Sequence, residues 1–189
     1  MSKIFVITGP SGVGKGTLIS RLRERIPELE LSVSATTREP REGEEDGRDY
    51  HFLDTAEFDR LAREDAFLEH ATFSGNRYGT LRREVDSRLA AGRPVVLEIE
   101  VQGARQVRAA MAGESEDDAV LIFIAPPEPA VLRERLAERG TDSERAIERR
   151  LETAKQELEA KVEFPHVVLN DDLEKAVVQL EELVRRELE

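Results

Sequence analysis

The sequence predicts an α/β fold: a parallel sheet flanked by helices on both faces, with a lobe and a small lid inserted into it. Three observations carry this. Short, almost wholly apolar runs rich in β-branched residues recur along the chain, as in strands buried on both faces. Amphipathic helical patterns alternate with them. Two polar stretches, one long and one short, interrupt the alternation.

The first strand is "KIFVIT" (3–8). A glycine-rich segment follows, and then "TLISRLRERI" reads as a helix closed by Pro27. Residues 34–84 are the long interruption. They are polar and rich in Gly and Arg, with extended pieces around Tyr50–Leu53 and Leu68–Phe73 and a helical pattern after Asp54. Strands resume at "RPVVLEIE" (93–100), "AVLIFIA" (119–125) and "HVVLN" (166–170). Helical patterns occupy 102–111, 128–138, 143–162 and 172–188. Thr141 followed by Glu144 is a capping box, and behind it Ile147, Leu151, Ala154 and Leu158 form a stripe. Asp172 is placed to cap the last helix, whose stripe of Leu173, Val177, Leu180 and Val184 should pack on the sheet. The second interruption, Arg139 to Ser143, reads as a mobile cap. The expected organisation is one domain over 1–184. Its core spans 1–33 and 85–189, with a lid at about 126–150, and the inserted lobe is 34–84.

With 189 residues the chain suffices for one compact domain. It has no cysteine, so disulfides and thiolate metal sites are excluded. The net charge of −12 argues against a free nucleic-acid binder. Any anionic ligand must then be held by local positive charge against the global field. Arginine outnumbers lysine, and its planar fork suits phosphate. No apolar run is long enough for a membrane span or a secretion signal. The expectation is a soluble cytoplasmic protein with no nucleic-acid or membrane partner.

"GPSGVGKGT" (9–17) follows the first strand and opens a helix. This is the spacing G-x-x-x-x-G-K, in which backbone N–H groups and a helix N-terminus cradle a polyphosphate and a lysine reaches its outer phosphates. Gly9, Pro10, Ser11, Gly12, Val13, Gly14, Lys15, Gly16 and Thr17 are therefore candidate ATP-binding residues. They place the fold among the P-loop NTPases. Gly16 departs from the pattern, because a Ser or Thr there normally supplies a hydroxyl to Mg²⁺. Thr17 is the candidate replacement, directly or through water, since Mg²⁺ keeps several waters. "GKGT" is similar to the form in adenylate kinases, which suggests a nucleoside-phosphate kinase.

In the long interruption, "SATTREPREGEEDGRDYHF" (34–52) sets Arg38 and Arg41 three residues apart, with Tyr50 soon after. "FLEHATFSGNRYGT" (67–80) adds Glu69, Asn76, Tyr78 and Thr80. The chain's two tyrosines both fall here. Two arginines and two phenols can clamp one phosphate. A carboxylate beside small hydroxyls can read a base edge.

With these blocks, "VVLEIEVQGA", "RGTDS" and "VLNDDLEKA", the chain resembles the guanylate kinase family from Ile4 to about Lys175. The resemblance implies transfer of phosphate from ATP to GMP or dGMP, with Mg²⁺ as cofactor and a lobe for the nucleoside monophosphate. It assigns Arg38, Arg41, Tyr50 and Tyr78 to the GMP phosphate, and Ser34, Glu69 and Thr80 to the base. Glu98 and Glu100 fall beside the site. The family usually has aspartate where Glu100 stands, so its contact is open. Arg135, Arg139 and Arg150 match lid-side arginines that fold onto the ATP phosphates, and with Lys15 and Arg38 they are the candidate catalytic set. Asn170 matches a position near the adenine. No histidine pattern suggests a general base, and His51, His70 and His166 read as structural. A non-catalytic module of the same family, a GTPase and a kinase for another monophosphate remain as alternatives. Against the first stands the intact loop, and against the second the lack of an N-K-x-D motif.

Overall fold

The structure, a computed structural model, describes residues 2–73, 75–112, 118–138 and 144–189. Its centre is β1 (Ile4–Thr8), in which every residue is buried. β7 (Val95–Glu98) and β8 (Ala119–Ala125) pair with β1 on either side, and β2 (Glu30–Leu31) and β9 (His166–Leu169) lie outside them. The order is β2-β7-β1-β8-β9, and every pairing is parallel.

Because side chains alternate along a strand, β1 feeds two cores. Phe5 and Ile7 join Leu18, Ile19 and Leu22 of α1 (Lys15–Arg25) and Val177, Leu180 and Val184 of α7 (Leu173–Leu188). Ile4 and Val6 join Val85 of α3 (Arg82–Ala90) and Val101, Ala104 and Val107 of α4 (Val101–Ala110). Helices therefore cover both faces, as the apolar runs predict. α1 stops at Arg25, two residues before Pro27, with Ile26 already out of the helical conformation. α5 (Pro129–Glu138) and α6 (Glu144–Glu159) lead, after one 3-10 turn, to β9. Thr141 and the rest of the expected cap at 139–143 lie outside the described residues. On α7, Asp172 accepts from the Lys175 amide at 2.9 Å. Leu173 is exposed rather than part of the buried stripe, which runs through Ala176, Val177, Leu180, Leu183 and Val184.

A second, four-stranded sheet forms within residues 35–81. Its order is β4 (His51–Phe52), β3 (Ala35–Thr36), β6 (Asn76–Leu81), β5 (Phe67–Phe73). α2 (Thr55–Arg63), capped by Asp54, presses Phe58 onto Phe67 and Leu81. The sheet is tied to the rest of the chain at one edge. There the Gln106 amide on α4 accepts from His70 N–H at 3.1 Å and donates to His70 C=O at 2.8 Å. β2, β3, β6 and α3 have no counterpart in the apolar pattern. Two of them are two residues long, β6 reads "NRYGTL", and α3 buries only Val85. Among the described residues, no helix is long and apolar enough to cross a membrane.

Candidate active site

A cavity opens at the carboxyl ends of β1 and β7, where an open parallel sheet places its ligands. On one side runs the loop from Pro10 to Gly16. Gly14 is the N-cap of α1 with φ of 96°, a left-handed conformation costly for other residues, and a Cβ there would meet Asn170 Nδ2 at 2.8 Å. Lys15 begins α1. Its ammonium is buried and folds back to donate to Gly9 C=O at 2.5 Å. Two sequence-predicted residues hold this loop from behind. Asn170 donates to Val13 C=O at 2.7 Å, and Arg135 donates to the same carbonyl and to Asn170 C=O at 3.0 and 3.1 Å. Neither lines the cavity, nor do Gly9 and Thr17, whereas Arg150 does. Arg139 lies outside the described residues. Both Glu98 oxygens stand 3.7 Å from where a Cβ on Gly16 would sit, so Glu98 faces the departure from the loop pattern directly.

On the other side are Ser34, Arg38, Arg41, Tyr50, Glu69, Tyr78 and, from the end of the main sheet, Glu100. Arg38 is held in place. Its guanidinium donates to both Glu44 oxygens at 2.8 and 2.9 Å and lies 5.3 Å from the centre of the Tyr50 ring. Tyr50 and Tyr78 meet edge to face at 6.1 Å. The Tyr50 phenol is raised above its usual range, first by burial and then by Glu98.

Glu69 owes its direction to an irregularity. Phe67 pairs with Leu81 and Glu69 with Thr80, so β5 carries one extra residue between them. Residues two apart on a regular strand share a face. The bulge separates them: Phe67 enters the apolar cluster under α2, while Glu69 turns to the cavity. There Thr80 Oγ1 donates to Glu69 Oε1 at 2.7 Å, with Thr80 itself buried behind the carboxyl. The side chain runs against Gly103 of α4. A Cβ on Gly103 would sit 2.3 Å from Glu69 Oε2, so only glycine leaves room. Glu69 is 4% exposed, and burial pushes its pKa up to about 7 against the opposing Thr80 hydrogen bonds.

The guanylate kinase family model matches residues 1–187. The chain belongs to the guanylate kinase family. It is 55% identical to "Guanylate kinase" of Synechococcus sp. (strain CC9311) over 176 residues, 93% of this chain and 90% of that one. With "Guanylate kinase" of Thermobifida fusca (strain YX) it shares 53% over 182 residues, 96% and 90% of the two chains. The crystal structure of guanylate kinase from Anaplasma phagocytophilum superposes with a TM-score of 0.76 at 31% identity, covering 99% of this chain and 86% of that chain.

Four residues of this guanylate kinase site escape sequence reasoning. Gly103 and Gln106 read as ordinary helix positions, and only the approach of β5 gives them a task. Glu44 is one acidic residue in "EGEED", indistinguishable there from its neighbours. Glu157 is 7% exposed on α6. It sits next to the expected stripe residue Leu158 and was visible only as a charge bordering an apolar face.

Proposed function

We propose that the cavity aligns ATP on the loop with GMP, or dGMP, on the second sheet, and passes the terminal phosphate from one to the other. Guanylate kinases are ATP:GMP phosphotransferases, and the match to them runs nearly end to end. The observation that carries the assignment of places is the buried Glu69 carboxyl, fixed by Thr80 and Gly103, facing a phosphate loop across one cavity.

The loop amides from Gly9 to Thr17 take the ATP phosphates. Lys15 leaves Gly9 C=O for them, and Arg150 reaches them from the lid side. Arg135 and Asn170 serve by holding the loop's shape. Arg38, Arg41, Tyr50 and Tyr78 take the GMP phosphate, which displaces Glu44 from part of the Arg38 fork. Ser34, Glu69 and Glu100 take the base, with Thr80 fixing the Glu69 carboxyl from behind. Glu98, between Gly16 and Tyr50, stands where the two nucleotides meet. When guanine enters, its N1–H and N2–H₂ donate to Glu69 and draw the carboxyl to its ionised form.

Transfer needs alignment and neutralised charge, and no general base, because the acceptor is already a phosphate oxygen. An ATP-using kinase generally implies a divalent metal. Among the described residues no cluster of three acidic or His side chains could cage one. Mg²⁺ is held mainly by phosphates and waters with one or two protein oxygens. Thr17, which is exposed and does not line the cavity, would reach it only through water. The ion, when bound, offsets the charge on the phosphates.

A steady-state assay with GMP, dGMP, AMP and UMP as acceptors, with and without Mg²⁺, tests this. GMP should exceed AMP in kcat/KM by about 10⁴-fold. Comparable rates with AMP would overturn it.

A further inference from the structure

Glu157 has no place in the reading above, yet it is buried beside the site. It lies on α6 seven residues after Arg150, two helical turns along the same side, and Arg150 lines the cavity. Its carboxyl lies within hydrogen-bond reach of the carboxyl of Glu100, the N-cap residue of α4. The Ser11 amide and the Lys15 ammonium face it from the phosphate loop. Glu157 Oε2 and Glu100 Oε2 are both buried without a hydrogen-bond partner. Two carboxylates in contact cannot satisfy each other, since both only accept. One retained proton removes the repulsion and gives the pair a hydrogen bond. One lysine and one amide do not neutralise two buried anions, and burial followed by the contact with Glu100 drives Glu157 well above the usual carboxylate range.

We propose that Glu157 is a positioning residue of the nucleotide pocket: it keeps its own proton and donates a hydrogen bond to the Glu100 carboxyl, which holds Glu100 ready for the guanine edge. The proposal rests on the placement of GMP given above. A glutamate side chain has several rotamers, and a fixed hydrogen bond restrains them. A neutral partner restrains it without adding negative charge where anionic nucleotides must enter. The same contact joins α6, and with it Arg150, to the end of β7, so the guanine side and the lid side share one buried joint.

Glu157→Gln separates the possibilities, because an amide N–H donates as the protonated acid does. Glu157→Gln should keep kcat/KM for GMP within about threefold of wild type. Glu157→Ala should raise the KM for GMP about tenfold or more while the KM for ATP and kcat change little. Ligand-free melting gives a second readout. The folded chain holds a proton on the pair that the unfolded chain has released, so wild-type stability falls as pH rises above the ordinary carboxylate value of 4.5. The melting temperature of Glu157→Gln should therefore gain on wild type between pH 5 and pH 8. Equal loss in both variants, with no such gain, would mean that Glu157 acts as an anion toward Lys15 and would overturn the proposal. Wild-type GMP kinetics in Glu157→Ala would overturn it as well. If wild type itself fails to prefer GMP, the placement of the substrates has failed instead, and the melting comparison still decides whether the pair holds a proton.

Discussion

The phosphate loop and the second sheet face each other across one cavity, but the first presents backbone and the second presents side chains. The loop is a single contiguous segment. Its shape is set by positive-φ glycines at 9, 12 and 14 and by the two braces beneath Val13. Lys15 is its one charged side chain, and that charge is parked on Gly9 C=O. The opposite wall gathers Ser34, Arg38, Tyr50, Glu69, Tyr78 and Glu100 from three separate stretches, 34–50, 69–78 and the end of the main sheet. The difference teaches that a site made of amides binds any polyphosphate of the right length. Choice among bases must come from side chains whose register is held by the fold. The two walls should therefore fail in different kinetic constants.

The largest effect should come from the loop. Lys15→Met removes the only charge the loop brings to the transferring phosphate, and kcat should fall about 10³-fold, as for loss of a preorganised donor. GMP binding, measured by calorimetry without ATP, should stay within about twofold. A matching loss of GMP affinity would break the division between the walls.

Next is Glu69→Gln. Replacing a buried hydrogen-bonding anion costs on the order of 2–5 kcal/mol. The kcat/KM for GMP should therefore drop about 10²-fold or more, with the KM for ATP unchanged. The pKa near 7 adds a pH signature. Below that pH the free carboxyl is protonated and can no longer accept both guanine donors. GMP affinity should fall about tenfold per pH unit below 7 and level off above it, and Glu69→Gln should flatten the curve. Stability carries the opposite sign. Between 4.5 and about 7 the folded chain binds a proton that the unfolded chain lacks, so Glu69 makes the fold less stable as pH rises through that window. Melting of ligand-free wild type against Glu69→Gln should show that slope.

The same contrast explains what could be read from the residues alone. The parallel sheet was legible because β1 and β8 are buried on both faces and so are continuously apolar. The loop was legible because its geometry depends on glycines at fixed spacing within nine residues. β6 was not, because its sequence carries no apolar alternation and one of its side chains, Tyr78, is turned to the cavity. Glu69 could be named through resemblance, but the bulge that aims it and the Gly103 gap that admits it are properties of pairing and packing. Arg135 shows the converse. The family resemblance made it a phosphate ligand, and the structure puts it under the loop, where it donates to Val13 C=O and Asn170 C=O. Spacing tells which residues are near a site, while the direction a long side chain takes depends on which acceptors the backbone leaves open.

The smallest effect sharpens the comparison most, because it concerns the one part of the second wall that behaves like a loop. Glu44 accepts from both the Arg38 guanidinium and the Arg41 backbone N–H, the latter at 2.8 Å. Arg38 holds its carboxyl below the usual range, so it is ionised at any working pH. It therefore presets the arginine segment as Gly9 C=O presets Lys15, by offering an acceptor until phosphate arrives. Two consequences oppose each other. Removing the charge frees the Arg38 fork for GMP, which tightens binding, and it loosens the 38–44 turn, which weakens it. The turn should dominate. Arg38 has further donors to spare for phosphate even while paired, whereas Arg41 N–H has no other partner among the hydrogen bonds described, and the side chains of the pair are largely shielded from solvent, at 13% and 19% exposure. Such a pair contributes about 1 kcal/mol. Glu44→Gln should then raise the KM for GMP about three- to fivefold and leave kcat and the KM for ATP unchanged. Tighter GMP binding in that variant would show that Glu44 competes with the substrate phosphate rather than preparing its seat.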